Sequence, residues 1–283
     1  MRVFLTGATG YVGGAVAYAL RKAGHDVVAL VRPDSEARAL RDAGVVIAAG
    51  DLAQLPSLRS ALAGCDVLIH TAMAHDSNAV ALDRVAVDAF TAERDAHVIY
   101  TSGGWVLDNL IDADETTPPK PIALVAWRPP HERLVLDAGG TVIRPGCVYG
   151  GRQSLLASWF AAADEGRPLE IAGDGRNRWA MIHLSDLADC YVKATEQRAA
   201  GILHGVDDSH DPLEQCARAV SRDAPIRHVD PPAGPFADAL LVDQVVLSDK
   251  TRAQLGWRPT RTFIGSVEEQ WREWREERGR LAR

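Results

Sequence analysis

The stretch that decides the fold reads Thr6-Gly7-Ala8-Thr9-Gly10-Tyr11-Val12-Gly13. It follows the apolar segment Val3–Leu5 and precedes an alanine-rich segment, so it connects a predicted strand to a predicted helix. In such a turn Gly7 permits the bend, Gly10 lets a phosphate approach the backbone, and Gly13 lets the helix pack closely on the strand. The stretch therefore predicts a turn that binds the pyrophosphate of a dinucleotide, with a plain glycine-rich turn as the alternative. Its predicted cofactor-binding residues are Gly7, Thr9, Gly10, Tyr11, Val12 and Gly13.

Around this turn, strands and helices alternate through the first hundred residues. The predicted strands are Val3–Leu5, Val27–Val31, Val45–Ala48, Val67–Ile69 and Val98–Tyr100. The predicted helices are Tyr11–Ala23, Ser35–Ala43, Pro56–Ala63 and Val80–Glu93. Because a helix follows nearly every strand, the pattern predicts an α/β fold of Rossmann type. Its doubly wound parallel sheet would carry helices on both faces and all strand C-termini at one ligand-binding edge.

The alternation loosens after residue 104. Residues 112–121 and 128–130 are rich in proline and are predicted to be loops. Three further elements are predicted: a strand at Val142–Ile143, a helix at Leu155–Glu165, and a helix at Leu184–Gln197 that is capped by Ser185 or a neighbour.

The composition excludes several classes of protein. The chain has 283 residues and a formal net charge of −7, which argues against a general nucleic-acid binder. Its 4 cysteines form no CxxC pair and no metal-ligand spacing with histidine, so no metal site is predicted. No apolar run approaches the roughly 20 residues of a membrane helix, and no signal peptide is recognisable. The sequence predicts a cytoplasmic protein that binds neither nucleic acid nor a membrane.

The end of the second strand bears on the choice of dinucleotide. An acidic residue there would hold the ribose 2′-hydroxyl of NAD, but this sequence reads Leu30-Val31-Arg32-Pro33. The planar guanidinium of Arg32 suits a 2′-phosphate, so the sequence favours NADP over NAD. Asp34 is better placed as a helix cap, as is Ser35, and an exposed surface arginine is the alternative interpretation of Arg32.

Two further segments follow strands at the same predicted edge. Asp51 and Leu52 come after the third strand, where Asp51 either contacts the adenine amino group or caps a turn. His70-Thr71-Ala72 ends the fourth strand, and the small residues Thr71 and Ala72 would let the cofactor cross the edge. His70 itself is more typical of a packed strand histidine than of a catalyst.

These motifs together resemble the extended short-chain dehydrogenase/reductase superfamily, in its NAD-dependent epimerase/dehydratase branch. The resemblance covers about residues 1–200, with a tail match at 255–259. It rests on Thr6 to Gly13, Gly50-Asp51-Leu52, His70-Thr71-Ala72, Tyr100-Thr101-Ser102-Gly103, Arg144 to Gly150 and His183 to Ala188. The resemblance implies a Rossmann core over residues 1–150. It also implies a small C-terminal substrate-binding α/β subdomain over most of residues 151–283, with about 180–200 returning to the core.

The family also implies a catalytic set of Ser or Thr, Tyr and Lys, with the last two in a YxxxK pair on one helix face. The region where this pair should fall, residues 122–132, contains no YxxxK, and the chain's one match to the pattern, Tyr18 to Lys22, lies in the helix predicted after the glycine turn. Alignment on Glu132 puts Leu124 at the tyrosine position and Arg128 at the lysine position, while Gly103 takes the serine position beside Ser102. The sequence therefore resembles atypical members that keep the cofactor fold and lose the usual proton donor.

Other residues become candidates for catalysis. Ser102, Tyr149 and His75 are candidate proton donors, together with water or the substrate itself. Arg128 is a candidate for holding the cofactor ribose or phosphate, but unlike lysine it is no tunable base. Packing beside the cofactor is the competing interpretation for Tyr149, and a solvated loop is that for His75.

Two motif residues near the cleft complete the predicted site. Pro145, in the Arg144-Pro145-Gly146 motif, is assigned to cofactor binding. Arg178, in the Gly173 to Trp179 stretch, is predicted either to face an anionic or polar substrate group or to lie in an ordinary charged hairpin.

Three functions remain open from the sequence. The first is an NADP-dependent oxidoreductase acting on a small organic carbonyl, alcohol, or activated C=C or C=N bond, since the cofactor carries the chemistry. The second is a non-redox isomerase, epimerase, dehydratase or cyclase, and the third is a non-catalytic cofactor-binding protein. A small-molecule substrate is expected. The chain would be a monomer or a homodimer, with prolines 129 and 130 shortening a helix that relatives use to dimerise.

Overall fold

A computed structural model describes residues 1–74 and 76–281, so His75 lies outside the described residues and its catalytic role stays a prediction. The strands are β1 (Arg2–Thr6), β2 (Asp26–Val31), β3 (Val46–Ala49), β4 (Val67–His70), β5 (His97–Thr101), β6 (Thr141–Pro145), β7 (Cys147–Tyr149), β8 (Leu169–Ala172), β9 (Met181–His183), β10 (Gly201–Gly205) and β11 (Ile226–Val229). The helices are α1 (Tyr11–Lys22), α2 (Arg38–Asp42), α3 (Leu55–Leu62), α4 (Ala79–Ala92), α5 (Arg128–Asp137), α6 (Ala157–Asp164), α7 (Leu184–Gln197), α8 (Leu213–Val220), α9 (Phe236–Leu241), α10 (Asp249–Leu255) and α11 (Val267–Leu281).

The central sheet has seven parallel strands in the order β10-β6-β5-β4-β1-β2-β3. The predicted Rossmann-type α/β fold is confirmed. The chain runs outward in one direction from β1 to β3 and in the other from β4 to β10. The crevice at this reversal lies at the C-terminal ends of β1 and β4, where ligands bind in open sheets of this kind.

Each face of the sheet is buried by its own layer of helices. On one face, side chains of α1 and α7, such as Leu20 and Leu187, pack on strand residues such as Ile69. On the other face, α3, α4 and α5 contribute a second core that includes Phe90 of α4 and Val135 of α5. Burial on both faces is the reason why the strands are almost continuously apolar.

The C-terminal part builds a further core, which is rich in aromatic residues and separate from the two cores of the central sheet. It unites the short parallel pairs β7·β9 and β8·β11 with α6, α8 and α11 around residues such as Trp159, Phe263 and Trp274. Helix α7 packs on the central sheet, and β10 adds a strand to that sheet beside β6. Among the described residues, no helix has both the length and the apolar character to cross a membrane.

Two local predictions about helix starts were wrong. Helix α2 begins at Arg38 rather than at Ser35, because the chain first forms a turn in which the Ser35 N–H donates to the Arg32 carbonyl. The loop predicted at residues 128–130 is instead the first turn of α5, where a proline costs no intrahelical hydrogen bond. The cap of α7, predicted to be Ser185 or a neighbour, is the nearby His183, whose ring accepts the Ser185 N–H at 3.2 Å.

Candidate active site

The glycine turn lies at the C-terminal end of β1 against the end of β4. A Cβ on Gly7 would lie 2.5 Å from the Ala72 nitrogen, and Gly7 also has a φ of +80°. A Cβ on Gly13 would lie 2.1 Å from the Gly7 carbonyl oxygen and 2.5 Å from Thr71 Oγ1. At Gly10 a Cβ would meet only the Gly7 oxygen, at 3.2 Å. Close packing therefore requires glycine at 7 and 13, whereas a Cβ at Gly10 would crowd a single backbone oxygen among the described atoms.

The start of α1 is suited to an anion. No side chain in the described part of the chain caps this end, so the N–H groups of its first turn are left for a ligand. Thr9 and Gly10 are exposed, while Tyr11 turns toward the C-terminal subdomain and its hydroxyl donates to the Gly150 carbonyl at 2.5 Å. The turn fits the pyrophosphate of a dinucleotide, with Tyr11 linking it to the loop after β7.

The residues proposed to bind the adenosine half lie beyond β2 and β3. Arg32 is exposed, and across residues 1–74 and 76–281 its guanidinium has no hydrogen-bond or ion-pair partner. Asp51 accepts the Ala53 N–H through Oδ1 at 2.8 Å, which is the turn geometry that the sequence left as one alternative. Leu52 packs partly against the core of the α3–α5 face.

Buried polar groups form a layer directly beneath the strand ends. His70 Nδ1 lies 2.7 Å from Thr6 Oγ1, and its Nε2 lies 3.3 Å from the carboxylate of Asp83 on α4. Asp83 also accepts hydrogen bonds from His131 at 2.6 Å and from the Tyr100 hydroxyl at 3.0 Å. Burial opposes ionisation, but hydrogen bonds from His131 and His70 outweigh it and hold the pKa of Asp83 well below its usual range. His70 is therefore a packed strand histidine bound into this layer.

Arg128 lies at the cleft side of this layer. Its Nη1 donates to the Thr101 carbonyl at 2.8 Å and lies 3.5 Å from the Tyr100 hydroxyl. Its Nη2 reaches the sulfur of the exposed Met73 at 3.4 Å, and its guanidinium stacks 4.6 Å from the Trp127 ring. No carboxylate of the described chain bonds directly to it. The site thus holds a fixed, buried cation whose donors extend toward the open end of β4.

The hydroxyl of Ser102 is bound to a buried carboxylate and is therefore not free to donate a proton to a substrate. Its hydroxyl donates to Glu132 Oε1 at 2.5 Å, and Arg144 binds the same carboxylate through Nε at 3.0 Å and Nη2 at 2.6 Å. All three side chains are buried. Next to them, a Cβ on Gly103 would meet no described atom within 4 Å, so the position aligned with the family serine faces open space. Leu124, aligned with the tyrosine, is half-buried on the turn Ala123–Val125.

Tyr149 is placed as a packing residue. Its side chain is fully buried in the aromatic core of the subdomain, and its hydroxyl donates to Asp207 at 2.7 Å. Burial and the neighbouring Asp207 carboxylate raise the pKa of Tyr149 well above its usual value. A phenol held by a buried carboxylate is a poor proton donor to a cleft, so the packing interpretation is favoured.

We expect Tyr149→Phe to keep turnover within about twofold and to lower the free energy of unfolding by about 1–2 kcal/mol, the cost of a lost buried hydrogen bond. Steady-state rates and urea unfolding would measure the two quantities. A loss of kcat by about a hundredfold or more, in a protein with unchanged cofactor affinity, would restore Tyr149 as the acid.

The Tyr149–Asp207 pair also predicts a pH dependence. Burial raises the pKa of Asp207 from 3.8 to about 6. The folded protein therefore binds this proton more tightly than the unfolded chain, and the contribution of Asp207 to stability falls as pH rises from about 4 to about 6. This fall should be about 3 kcal/mol in the native protein and absent in Asp207→Asn. Unfolding curves at a series of pH values would measure this fall in the native protein and in Asp207→Asn. The control variant is Asp88→Asn, because Asp88 is an exposed residue of α4. The same pH dependence of stability in the native protein and in Asp207→Asn would contradict this assignment.

Arg178 is committed to another partner. Its guanidinium binds the two oxygens of Asp243, both at 2.9 Å, and its backbone N–H donates to the same carboxylate at 2.8 Å. The pairing lowers the pKa of Asp243, as expected for an ion pair. The prediction that Arg178 faces an anionic substrate group is therefore not supported, and the residue joins two loops of the subdomain.

Several residues of the site were missed by the sequence interpretation. Asp83 shares one face of its helix with Ala86, Val87 and Phe90, and an acid on an otherwise apolar stripe is a signal that could have been used. His131 carried no such signal, because its partner Asp83 lies 48 residues away.

Sequence comparisons relate the chain to NAD(P)-binding families and to named reductases. Residues 7–127 match the NAD(P)H-binding family model, and residues 136–204 match the model of the NAD dependent epimerase/dehydratase family. The chain is 29% identical to the 3-diazoavenalumate denitrifying reductase of a Streptomyces species, over 92% of this chain and 96% of that protein. It is 28% identical to the 4-hydroxy-2-methyl-3-oxo-4-farnesyl-3,4-dihydroquinoline-1-oxide ketoreductase of Stigmatella aurantiaca, over 74% and 68% of the two chains.

The fold is also similar to solved structures. The dTDP-glucose 4,6-dehydratase of Bacillus anthracis in complex with NAD superposes with a TM-score of 0.83, covering 99% of this chain and 98% of that one. The identity is 13%, so this likeness concerns the fold alone.

Proposed function

The chain belongs to the NAD-dependent epimerase/dehydratase family, and on that premise we propose that it is an NADP-dependent oxidoreductase that reduces an activated double bond, such as a carbonyl, in a small organic substrate. The observation that carries this proposal is the glycine turn at the end of β1. Side chains at 7 and 13 would clash there, while Gly10 and the uncapped start of α1 leave room for a pyrophosphate. The names of the two relatives, a ketoreductase and a reductase, point to the same class of reaction.

The described residues have distinct binding roles in this proposal. The first turn of α1 binds the pyrophosphate, Arg32 binds the ribose 2′-phosphate, and Arg128 donates to a hydroxyl of the nicotinamide ribose. Thr71 and Ala72 are small enough to let the dinucleotide cross the end of β4, with Pro145 bordering the nicotinamide. When bound, the cofactor supplies a hydride to the substrate.

The proton requires a separate source. A reduced carbonyl gains a hydride at carbon and a proton at oxygen. The hydroxyls of Ser102 and Tyr149 already donate hydrogen bonds to buried carboxylates, so among the described residues neither candidate hydroxyl is free to supply that proton. With His75 outside the described residues, we assign the proton to water that enters beside Gly103, where the family serine would project. Such an enzyme relies on positioning rather than on a strong acid, which suits substrates whose double bond is already activated.

The test is a fluorescence titration of the protein with NADPH and with NADH, followed by NADPH oxidation with a panel of aldehydes, ketones and enones. Gly10→Val serves as the control, because the extended backbone at Gly10 suits a β-branched residue, its Cβ would crowd the Gly7 oxygen at 3.2 Å, and the side chain would fill the phosphate space. We expect tighter NADPH binding, loss of binding in the variant, and oxidation with at least one substrate class. Binding of neither dinucleotide would overturn the proposal, and product formation without net NADPH oxidation would replace it with a non-redox isomerase or dehydratase.

A further inference from the structure

Two half-buried aromatic side chains, Trp105 and Phe236, meet at the turn Gly104–Leu107 that follows β5. We propose that they form an aromatic wall that selects substrates with a planar, uncharged aromatic part. This inference rests on the proposed function, since it names the substrate class of the same site.

The turn that carries Trp105 adjoins the two positions that align with the catalytic serine and tyrosine of the family. Trp105 lies in the turn Gly104–Leu107, two residues after Gly103 at the end of β5. Its carbonyl accepts the N–H of Ile122 at 3.3 Å, and Ile122 precedes Leu124 by two residues. The positions aligned with the family serine and tyrosine are therefore each joined to the Trp105 turn, Gly103 directly along the chain and Leu124 through the contact of Ile122.

The aromatic contact itself has a defined geometry. The rings of Trp105 and Phe236 lie edge to face, with centroids 5.6 Å apart and an interplanar angle of 77°. Both rings, together with Leu124, pack on one buried cluster that includes Val106 and Val242, yet all three keep part of their surface accessible. An apolar surface that is supported from behind and open in front is suited to stacking with a planar ligand.

Hydrogen bonds from one segment hold the wall in place. The side chain of Gln244 donates to the carbonyls of Gly104 at 3.2 Å and Asp108 at 2.9 Å, on both sides of Trp105. The preceding Asp243 donates its N–H to Asn109 and receives the bidentate contact of Arg178. The Trp105 turn is thus fixed before a ligand arrives, which reduces the entropic cost of binding.

The same network removes the charge that a nucleotide substrate would need. A diphosphate is best recognised by arginine with free donors, whereas the Arg178 guanidinium is already bound through Nε and Nη2 to Asp243. Within the described chain, Asp238 of α9 lines a small cavity with Asp108 and Asn109, which directly follow the Trp105 turn, and its carboxylate would repel a phosphate there. These charges favour an uncharged aromatic group over the nucleotide part of a sugar nucleotide.

The experiment measures binding by calorimetry to the protein saturated with NADP, with 2-naphthol and UDP as separate probes. We expect 2-naphthol to bind and UDP to bind at least about tenfold more weakly. Trp105→Ala and Phe236→Ala should each weaken 2-naphthol binding about 5- to 50-fold, and Trp105→Phe should recover part of the loss. Tyr18→Ala, which removes an aromatic ring that is 63% exposed on α1, is the matched control and should change nothing.

The outcomes separate this inference from the proposed function. Failure of the native protein to bind NADP would overturn the proposed function before the second ligand is added. Normal NADP binding with tighter binding of UDP than of 2-naphthol would overturn only the aromatic wall. So would unchanged 2-naphthol binding in both alanine variants.

Discussion

Replacing Glu132 with alanine should lower the free energy of unfolding by about 3–5 kcal/mol, because it leaves the buried cation of Arg144 without a counter-charge. Arg144 is 1% exposed, and both of its hydrogen bonds to a carboxylate are made to Glu132. Its Nη1 already lacks a partner among the described groups. Removing the carboxylate would also free the Ser102 hydroxyl, which has no other acceptor in the described contacts.

Urea unfolding would measure the effect, with Asp137→Ala as the control on the same helix. Asp137 forms an exposed pair with Arg133 at 2.7 Å, and its loss should cost only about 0.5 kcal/mol. Glu132→Gln keeps the shape of the side chain and should fall between the two, so the comparison survives even if the alanine variant fails to fold. A cost below about 1 kcal/mol for Glu132→Ala would show that Arg144 finds water or another acceptor.

The second large effect concerns Arg32. We expect Arg32→Ala to weaken NADPH binding about 10- to 150-fold while NADH binding changes less than about twofold, since charge-assisted hydrogen bonds to a phosphate contribute about 1.5–3 kcal/mol. The guanidinium is exposed and unpaired in the described part of the chain, so it loses no internal partner when it binds a phosphate. Fluorescence titrations of both dinucleotides would give the ratio.

Arg38→Ala is the matched control for this experiment. Arg38 is also an exposed arginine near the end of β2, but it pairs with Asp42 at 3.8 Å within α2. Its removal should leave the preference for NADPH intact. Equal losses of NADPH and NADH affinity in Arg32→Ala would mean that Arg32 supports the fold of the turn, and the NADP assignment would then be wrong.

The sequence alone was sufficient to predict those features whose physical constraints act between residues close together in the chain. The glycine spacing from 7 to 13, the strand before it and the helix after it follow from steric limits within eight residues, and the structure places each as predicted. The alternation of strands and helices likewise determined the parallel sheet. The first turn of α5 was missed because prolines 129 and 130 were interpreted as helix breakers, although a first turn tolerates them.

Only the tertiary structure decided which polar groups near the strand ends are free to react. Ser102 meets Glu132 across 30 residues, Tyr149 meets Asp207 across 58, and Arg178 meets Asp243 across 65. No periodicity in the sequence records such pairs, because each forms only when the sheet and the subdomain loops have packed. The sequence by itself therefore determined the Rossmann-type fold and the absence of tyrosine and lysine at positions 124 and 128. Folding decided the availability of each remaining hydroxyl and cation, since a buried polar group must find its partner wherever the packed chain supplies one.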